Sequence, residues 1–180
     1  MALKATIFKA TVQVADMDRH FYDELHLTLA RHPSETDERM MARLLAFVMH
    51  ASDQLQFTKG ISTDDEPDLW QKSLSDEIEV WIEIGLPDES RIRKACSRAR
   101  SVYLYTYGAR AVPPWWEKIK GKVVRFDNLV VVHLPTEATT AMAGLARKNM
   151  TLQCTIDGGH AWLGDEETTV AIIPERLYPA

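Results

Sequence analysis

The sequence predicts an α/β protein, or α+β by a strict count, in which helices flank a mixed sheet. Three observations carry this prediction. The middle of the chain alternates strand-like and helix-like segments, both ends show the period-two alternation of strands, and 46 % of the 180 residues are hydrophobic. A chain of this length forms about one domain and buries roughly 70 % of its unfolded surface. We therefore expect a single domain over residues 1–180, with added antiparallel strands from the N- and C-terminal segments.

The sequence of the first half of the chain predicts four strands and one helix. Apolar and polar residues alternate in the strand-like segments, as in half-buried strands. Ser34 and Asp37 form a capping box that begins a helix ending near Ala51. The predicted strands lie at residues 3–15, 22–31, from about 68, and 78–85.

The second half alternates helices with strands. Asp88 is the expected cap of a helix that ends near Arg100, Pro113–Pro114 begins a short helix, and a third helix covers about Thr136–Lys148. A turn at residues 157–159 joins two strands of a hairpin. The predicted strands lie at residues 102–107, 128–134, 151–156, 161–163 and 169–173.

Charge is unevenly distributed along the chain. The segment Asp88–Arg125 holds ten Lys and Arg against three Asp and Glu, a balance of +7, whereas the net charge of the whole chain is −5. The overall charge argues against a general nucleic-acid coat protein, but the basic segment indicates one surface for an anionic partner. Between Asp64 and Glu83 there are eight acids and one base. This run fits either a solvated acidic loop or a carboxylate site.

The compartment is predicted from features that the sequence lacks. No apolar run reaches the ~18 to 20 residues of a membrane span, and residues 1–4 show no signal-peptide pattern. Cys96 and Cys154 lack a disulfide-framework spacing and are expected to be free thiols. We therefore expect a cytoplasmic protein with no membrane partner.

Two carboxylates in the middle of the chain form the candidate site. Alternation over Ile78–Gly85 places Glu83 on the same face as Trp81, near the carboxyl end of its strand, where open α/β sheets build sites. Asp68 lies fifteen positions before Glu83, a gap that suits a hairpin. Paired carboxylates bind Mg²⁺ or Mn²⁺, which polarise a phosphate and activate water. Glu38, which borders the apolar stripe of the first helix, is the candidate third acid.

These residues carry a resemblance to known proteins. Pro67–Asp68 followed by Glu83 resembles the PD-(D/E)XK nuclease signature, whose core has the order α-β-β-β-α-β with a leading helical acid. The whole chain resembles the bacterial YaeQ family in residues 1–7, 27–36, 38–45, 65–70, 81–88, 94–96 and 150–153. This resemblance implies a nuclease-like fold and leaves the activity open.

One position departs from the nuclease signature. The signature has a Lys two residues after the Glu, where it stabilises charge on the phosphate, and this chain has Gly85 there. The resemblance makes Lys94, on the following helix, the candidate replacement. Arg91 and Arg98 share its side of that helix, so this side is either a solvated basic face or a phosphate-facing one. The further candidate nucleic-acid contacts of the basic segment are Lys118, Lys120 and Lys122.

We therefore expect a Mg²⁺- or Mn²⁺-dependent nuclease, a hydrolase acting on nucleic-acid phosphodiesters. Asp68 and Glu83 would hold the metal, Glu38 would complete its shell or position water, and Lys94 would stabilise the developing charge. The alternative, which Gly85 favours, is a catalytically inactive nuclease-fold protein that binds nucleic acid or regulates. A third interpretation is a protein-interaction module that uses the C-terminal hairpin.

Overall fold

The structure is a computed structural model that describes residues 4–59 and 65–180. In these residues the fold is α+β, with four helices and two mixed sheets. The helices are α1 (Asp37–Met49), α2 (Glu89–Arg98), α3 (Val112–Val123) and α4 (Thr136–Ala143). The strands are β1 (Thr6–Asp16), β2 (Phe21–Arg31), β3 (Leu55–Phe57), β4 (Leu69–Lys72), β5 (Ile78–Ile84), β6 (Ala99–Thr106), β7 (Leu129–His133), β8 (Asn149–Asp157), β9 (His160–Gly164), β10 (Thr169–Ile172) and β11 (Glu175–Tyr178).

The chain divides into two compact units. Unit 1 comprises the described residues up to Met49 together with residues 137–174, and unit 2 comprises the described residues from His50 to Thr136 together with residues 175–180. Each unit contains one of the two sheets. The expectation of one domain over residues 1–180 stays a prediction.

Unit 1 is built on a five-stranded sheet with the order β10-β9-β8-β1-β2. The N- and C-terminal segments both add strands, as the sequence predicted, and they pair with each other here. Their junction is parallel, however, because β1 and β8 run in the same direction, and the expectation of purely antiparallel added strands is wrong at this junction. Parallel neighbours need a long crossover connection, and residues 50–136 of unit 2 lie between β1 and β8 in the sequence.

Helix α1 buries every residue from Met40 to Val48. The predicted capping residue was wrong, since the Oγ1 of Thr36 accepts the N–H of Arg39 at 3.1 Å. Ser34 instead hydrogen-bonds His32 through its hydroxyl. Thr36 directly precedes the first helical residue, where its hydroxyl can reach the N–H three positions ahead.

Unit 2 is built on a six-stranded sheet with the order β11-β7-β6-β5-β4-β3. Strands β5, β6 and β7 are parallel, and α2 and α3 make the two crossovers. The short strands β3 and β11, which the sequence analysis did not predict, extend this sheet at its two edges. Both helices pack on the sheet face that carries Trp81. The buried residues between this face and the two helices form a hydrophobic core cluster of Trp81, Ile92, Ala95, Ala99, Val102, Leu104, Ile119, Val123, Leu129 and Val131.

The boundaries of two helices differ from those predicted. Helix α2 ends at Arg98 rather than Arg100, so Ala99 belongs to β6. The buried face of α2 is formed by Ile92 and Ala95, whereas Cys96 is half-buried. Helix α4 ends at Ala143, before Gly144, because glycine is a poor helix former. No helix of the described residues combines the length and apolarity that spanning a membrane requires.

Candidate functional site

Asp68 and Glu83 lie on adjacent segments of the unit 2 sheet. Strand β4 begins directly after Asp68 and pairs antiparallel with β5, which contains Glu83. The N–H of Asp68 donates to the carbonyl of Ile82 at 3.1 Å, and the N–H of Ile84 donates to Oδ2 of Asp68 at 2.8 Å. Asp68 therefore bonds to both residues that flank Glu83. Each of the two acids is only 5 % exposed.

The carboxylate of Glu83 has two side-chain donors. The indole Nε1 of Trp81 lies 2.9 Å from Oε1 of Glu83, and Nε of Arg91 lies 2.7 Å from the same oxygen. Trp81 reaches Glu83 because residues two apart on a strand share a face. Arg91 lies in the first turn of α2, after the cap formed by Asp88, whose Oδ1 accepts the N–H of Arg91 at 2.9 Å. The predicted cap of this helix is thus confirmed.

Burial shifts the ionisation of Glu83. Loss of solvent around its carboxyl group raises the pKa of Glu83 above its usual value, and the negative charge of Asp68 raises it further. The hydrogen bond and positive charge of Arg91, with the Trp81 N–H, act in the opposite direction and offset only part of the shift.

The hydrogen bonds of the two acids compete with a divalent metal ion. Mg²⁺ and Mn²⁺ require several oxygen ligands with lone pairs directed at the ion, whereas N–H groups already donate to Oε1 of Glu83 and Oδ2 of Asp68. A guanidinium about 4 Å from a divalent ion would repel it by ~8 kcal/mol at an effective dielectric constant of ~20. Within residues 4–59 and 65–180, no group of three or more His, Cys, Asp or Glu side chains gathers as a metal site. The predicted metal roles of Asp68 and Glu83 stay predictions.

The predicted basic face of α2 holds the segment that leads into Asp68. Nζ of Lys94 lies 2.6 Å from Oδ1 of Asp65, and a guanidinium nitrogen of Arg98 donates to the carbonyl of Asp65 at 2.9 Å. Arg91 likewise donates to the carbonyl of Glu66 at 2.8 Å. The Lys94 contact lowers the pKa of the exposed Asp65. These cations are therefore engaged within the chain rather than simply solvated. Asp64, at the start of the predicted acidic run, lies outside the described residues.

Gly85 has a backbone conformation that explains its departure from the nuclease signature. Its φ is +128°, in the region that L side chains rarely adopt. Its N–H donates to the carbonyl of Tyr105 at 2.9 Å, which fixes this end of the sheet. A Lys at this position would strain the backbone even though a Cβ would meet no atom within 4 Å.

Glu38 belongs to unit 1. Its Oε2 accepts a hydrogen bond from Oγ1 of Thr139 at 2.9 Å, so this carboxylate links α1 to α4. Its membership of a metal shell stays a prediction.

The lysines of α3 form a second group of cations in unit 2. Lys118 and Lys122 are exposed and lie four positions apart, on one side of the helix. Arg125 continues the same side three positions later, and Val124 keeps helical backbone angles between them. Arg125 pairs with Glu89 of α2 at 2.9 Å, and Lys120 pairs with Glu117 at 2.9 Å.

The functional residue that sequence reasoning missed is Arg91 as the partner of Glu83. It was grouped with Lys94 and Arg98 as a phosphate contact because the three share one side of α2. The sequence feature that indicates this pairing is the position of Arg91, three residues after the capping Asp88. A side chain in the first turn of the helix that follows β5 lies near the end of that strand, where Glu83 is.

Comparison with known proteins identifies the family. A family model described as YaeQ protein matches residues 1–174. The chain belongs to the YaeQ family. A YaeQ relative from Escherichia coli strain K12, described as uncharacterized protein YaeQ, is 51 % identical over 172 residues, which cover 96 % of this chain and 95 % of the relative. A YaeQ relative from Salmonella typhi with the same description is 49 % identical over 172 residues, with the same coverage.

Solved structures of YaeQ proteins share this fold. The crystal structure of the YaeQ protein from Xanthomonas axonopodis pv. citri superposes with a TM-score of 0.93 at 43 % identity, covering 96 % of this chain and 98 % of that one. The crystal structure of the YaeQ protein from Pseudomonas syringae also gives 0.93, at 31 % identity, covering 98 % and 97 %. The family predicted from the sequence is therefore confirmed.

Proposed function

We propose that this YaeQ-family protein binds nucleic acid through the outward sides of α2 and α3 without cleaving it. The observation that carries the proposal is that both helices pack on the same face of the unit 2 sheet. Their solvent-facing sides therefore lie over one surface. The exposed bases of α2 are Arg93, Lys94 and Arg98, of which Lys94 pairs with Asp65, and residues 112–125 hold four bases and one acid. This surface is basic although the whole chain has a net charge of −5.

The spacing of the α3 cations suits a phosphate backbone. Lys118, Lys122 and Arg125 lie along one side of the helix, and at ~1.5 Å per residue they span ~10 Å. One strand of DNA carries about three phosphates over that length. Neutralising phosphates releases counterions, which supplies sequence-independent affinity.

The chain order of the elements supports nucleic acid as the partner. Elements α1, β3, β4, β5, α2 and β6 follow one another in the order of the nuclease core that the sequence resembles. Absence of cleavage is supported by two observations within that order. Gly85 takes the place of the lysine of the signature, and Glu83 is engaged by Arg91 and Trp81.

Fluorescence anisotropy tests the proposal. Labelled single- and double-stranded DNA and RNA are titrated with the protein in EDTA at several salt concentrations. We expect binding whose affinity falls as salt rises. The double variant Lys118→Glu/Lys122→Glu should bind at least tenfold more weakly, with a salt slope smaller by roughly two phosphate contacts.

A matched control separates this surface from general charge. Lys9→Glu/Lys148→Glu changes the net charge by the same amount on exposed residues of unit 1, and it should retain most of the affinity. The proposal is overturned by an absence of binding at low salt, or by an equal loss of affinity in both double variants.

A further inference from the structure

The acid pair of unit 2 contains a built-in cation. Glu83 is 5 % exposed, and a buried carboxylate needs a counter-charge and hydrogen bonds to remain ionised. Arg91 supplies both, because its Nε lies 2.7 Å from Oε1 of Glu83. Asp68 is equally buried and bonds to both neighbours of Glu83.

Arg91 is held on several sides. Its backbone N–H donates to the capping Asp88 at 2.9 Å. Its guanidinium donates to Glu83 and to the carbonyl of Glu66 at 2.8 Å. Because both the backbone and the guanidinium of Arg91 are held, its side chain needs no rearrangement to stay beside the Glu83 carboxylate. This is the arrangement expected of a permanent ion-pair partner.

We propose that Arg91 is the resident cation of the Asp68–Glu83 pair and takes the place of a divalent metal ion. Its positive charge partly neutralises the two acids and repels a second cation, and its N–H takes one of the acceptor positions of the Glu83 carboxylate. The nuclease-like sequence pattern is thereby retained without a metal site. This inference does not depend on nucleic-acid binding, so the two can fail separately.

Removal of the Arg91 charge should convert the pair into a metal site. In Arg91→Gln, two neighbouring carboxylates lose their cation, and hard divalent ions prefer such oxygen ligands. We expect Arg91→Gln to bind about one Mn²⁺ per chain, at least tenfold more tightly than the wild type. The readout is the electron paramagnetic resonance signal of free Mn²⁺.

Two variants control this titration. Arg93→Gln removes an exposed cation from the same helix and should not gain a Mn²⁺ site. Arg91→Gln/Glu83→Gln should lose the site that Arg91→Gln gains. The inference is overturned if the wild type already binds one Mn²⁺ that Glu83→Gln abolishes, or if Arg91→Gln binds no more tightly than the wild type.

The wild type provides a test that needs no variant to bind metal. The indole N–H of Trp81 lies 2.9 Å from Oε1 of Glu83, so a paramagnetic ion on that carboxylate would broaden its nuclear magnetic resonance signal. We expect equimolar Mn²⁺ to leave this signal sharp. Selective broadening of the Trp81 signal, assigned with Trp81→Phe, would overturn the inference even if Arg91→Gln does not fold.

Discussion

Nε of Arg91 lies 2.7 Å from Oε1 of Glu83, a carboxylate that is 5 % exposed. The pair connects the first turn of α2 to the strand that carries the candidate site. Trp81 donates to the same oxygen at 2.9 Å. The acid that the sequence predicted as a metal ligand therefore accepts hydrogen bonds from Arg91 and Trp81.

Arg91→Met should destabilise the protein by ~3 kcal/mol, because removal of one partner leaves a buried charge without its counter-ion. Urea denaturation followed by circular dichroism measures the change in the free energy of unfolding. Arg93→Met, an exposed residue of the same helix, should change it by less than about 0.5 kcal/mol. Equal effects of the two substitutions would show that the Arg91–Glu83 pair contributes little.

The raised pKa of Glu83 predicts a pH dependence of stability. In the unfolded chain this pKa returns to about its usual 4.5, so above that pH the native state binds more protons than the unfolded state. The contribution of Glu83 to stability is therefore largest below its unfolded pKa and declines as pH rises through the folded pKa. Glu83→Gln cannot titrate. The free energy of unfolding of the wild type minus that of Glu83→Gln should fall as pH rises above about 4.5, as measured by urea denaturation, and a rising difference would contradict the assignment.

Asp68 should tolerate the loss of its negative charge better than the loss of the oxygen that accepts the N–H of Ile84. Asp68→Asn retains an acceptor for the N–H of Ile84 and should cost less than about 1 kcal/mol. Asp68→Ala removes that acceptor in a buried place and should cost ~2 kcal/mol. Thermal or urea denaturation distinguishes the two. An equally large cost for both variants would show that the charge of Asp68 matters more than its hydrogen bond.

The buried ion pair of Arg43 and Glu35 in unit 1 differs in geometry from the Arg91–Glu83 pair of unit 2. Nε and a terminal nitrogen of Arg43 donate to the two oxygens of Glu35 at 2.9 and 2.7 Å, and Arg43 also donates to the carbonyl of Ala30 at 3.1 Å. Arg43→Lys keeps the charge but loses the fork that bonds to both oxygens. We expect Arg43→Lys to lose at least ~1 kcal/mol and Arg43→Met ~3 kcal/mol or more, measured by urea denaturation. A fully stable Arg43→Lys would contradict a requirement for the two-pronged contact.

The sequence predicted local features of the site well, because they depend on local geometry. Period-two alternation placed Trp81 and Glu83 on one face, and the hydrogen bond between them confirms it. The β4–β5 pairing next to Asp68 agrees with the predicted hairpin. The cap at Asp88 follows from its place before a helix and is also confirmed.

Features that depend on distant parts of the chain were not predicted. The parallel pairing of β1 with β8 joins segments more than 130 positions apart, and no local pattern encodes its direction. The partner of Glu83 depends on which α2 side chain faces the end of β5, and helical spacing alone left three basic residues equivalent. Packing of Ile92 and Ala95 against the sheet resolves this, because it directs Arg91 toward Glu83.

The most direct test of the account compares nucleic-acid binding and cleavage in the same sample, with millimolar Mg²⁺ or Mn²⁺ and with EDTA. Labelled DNA and RNA are incubated with the wild type and with Glu83→Gln, and products are resolved on denaturing gels beside anisotropy measurements. The account predicts intact nucleic acid under every condition, and binding in EDTA for both proteins. Cleavage by the wild type that requires the metal ion and is lost in Glu83→Gln would contradict it.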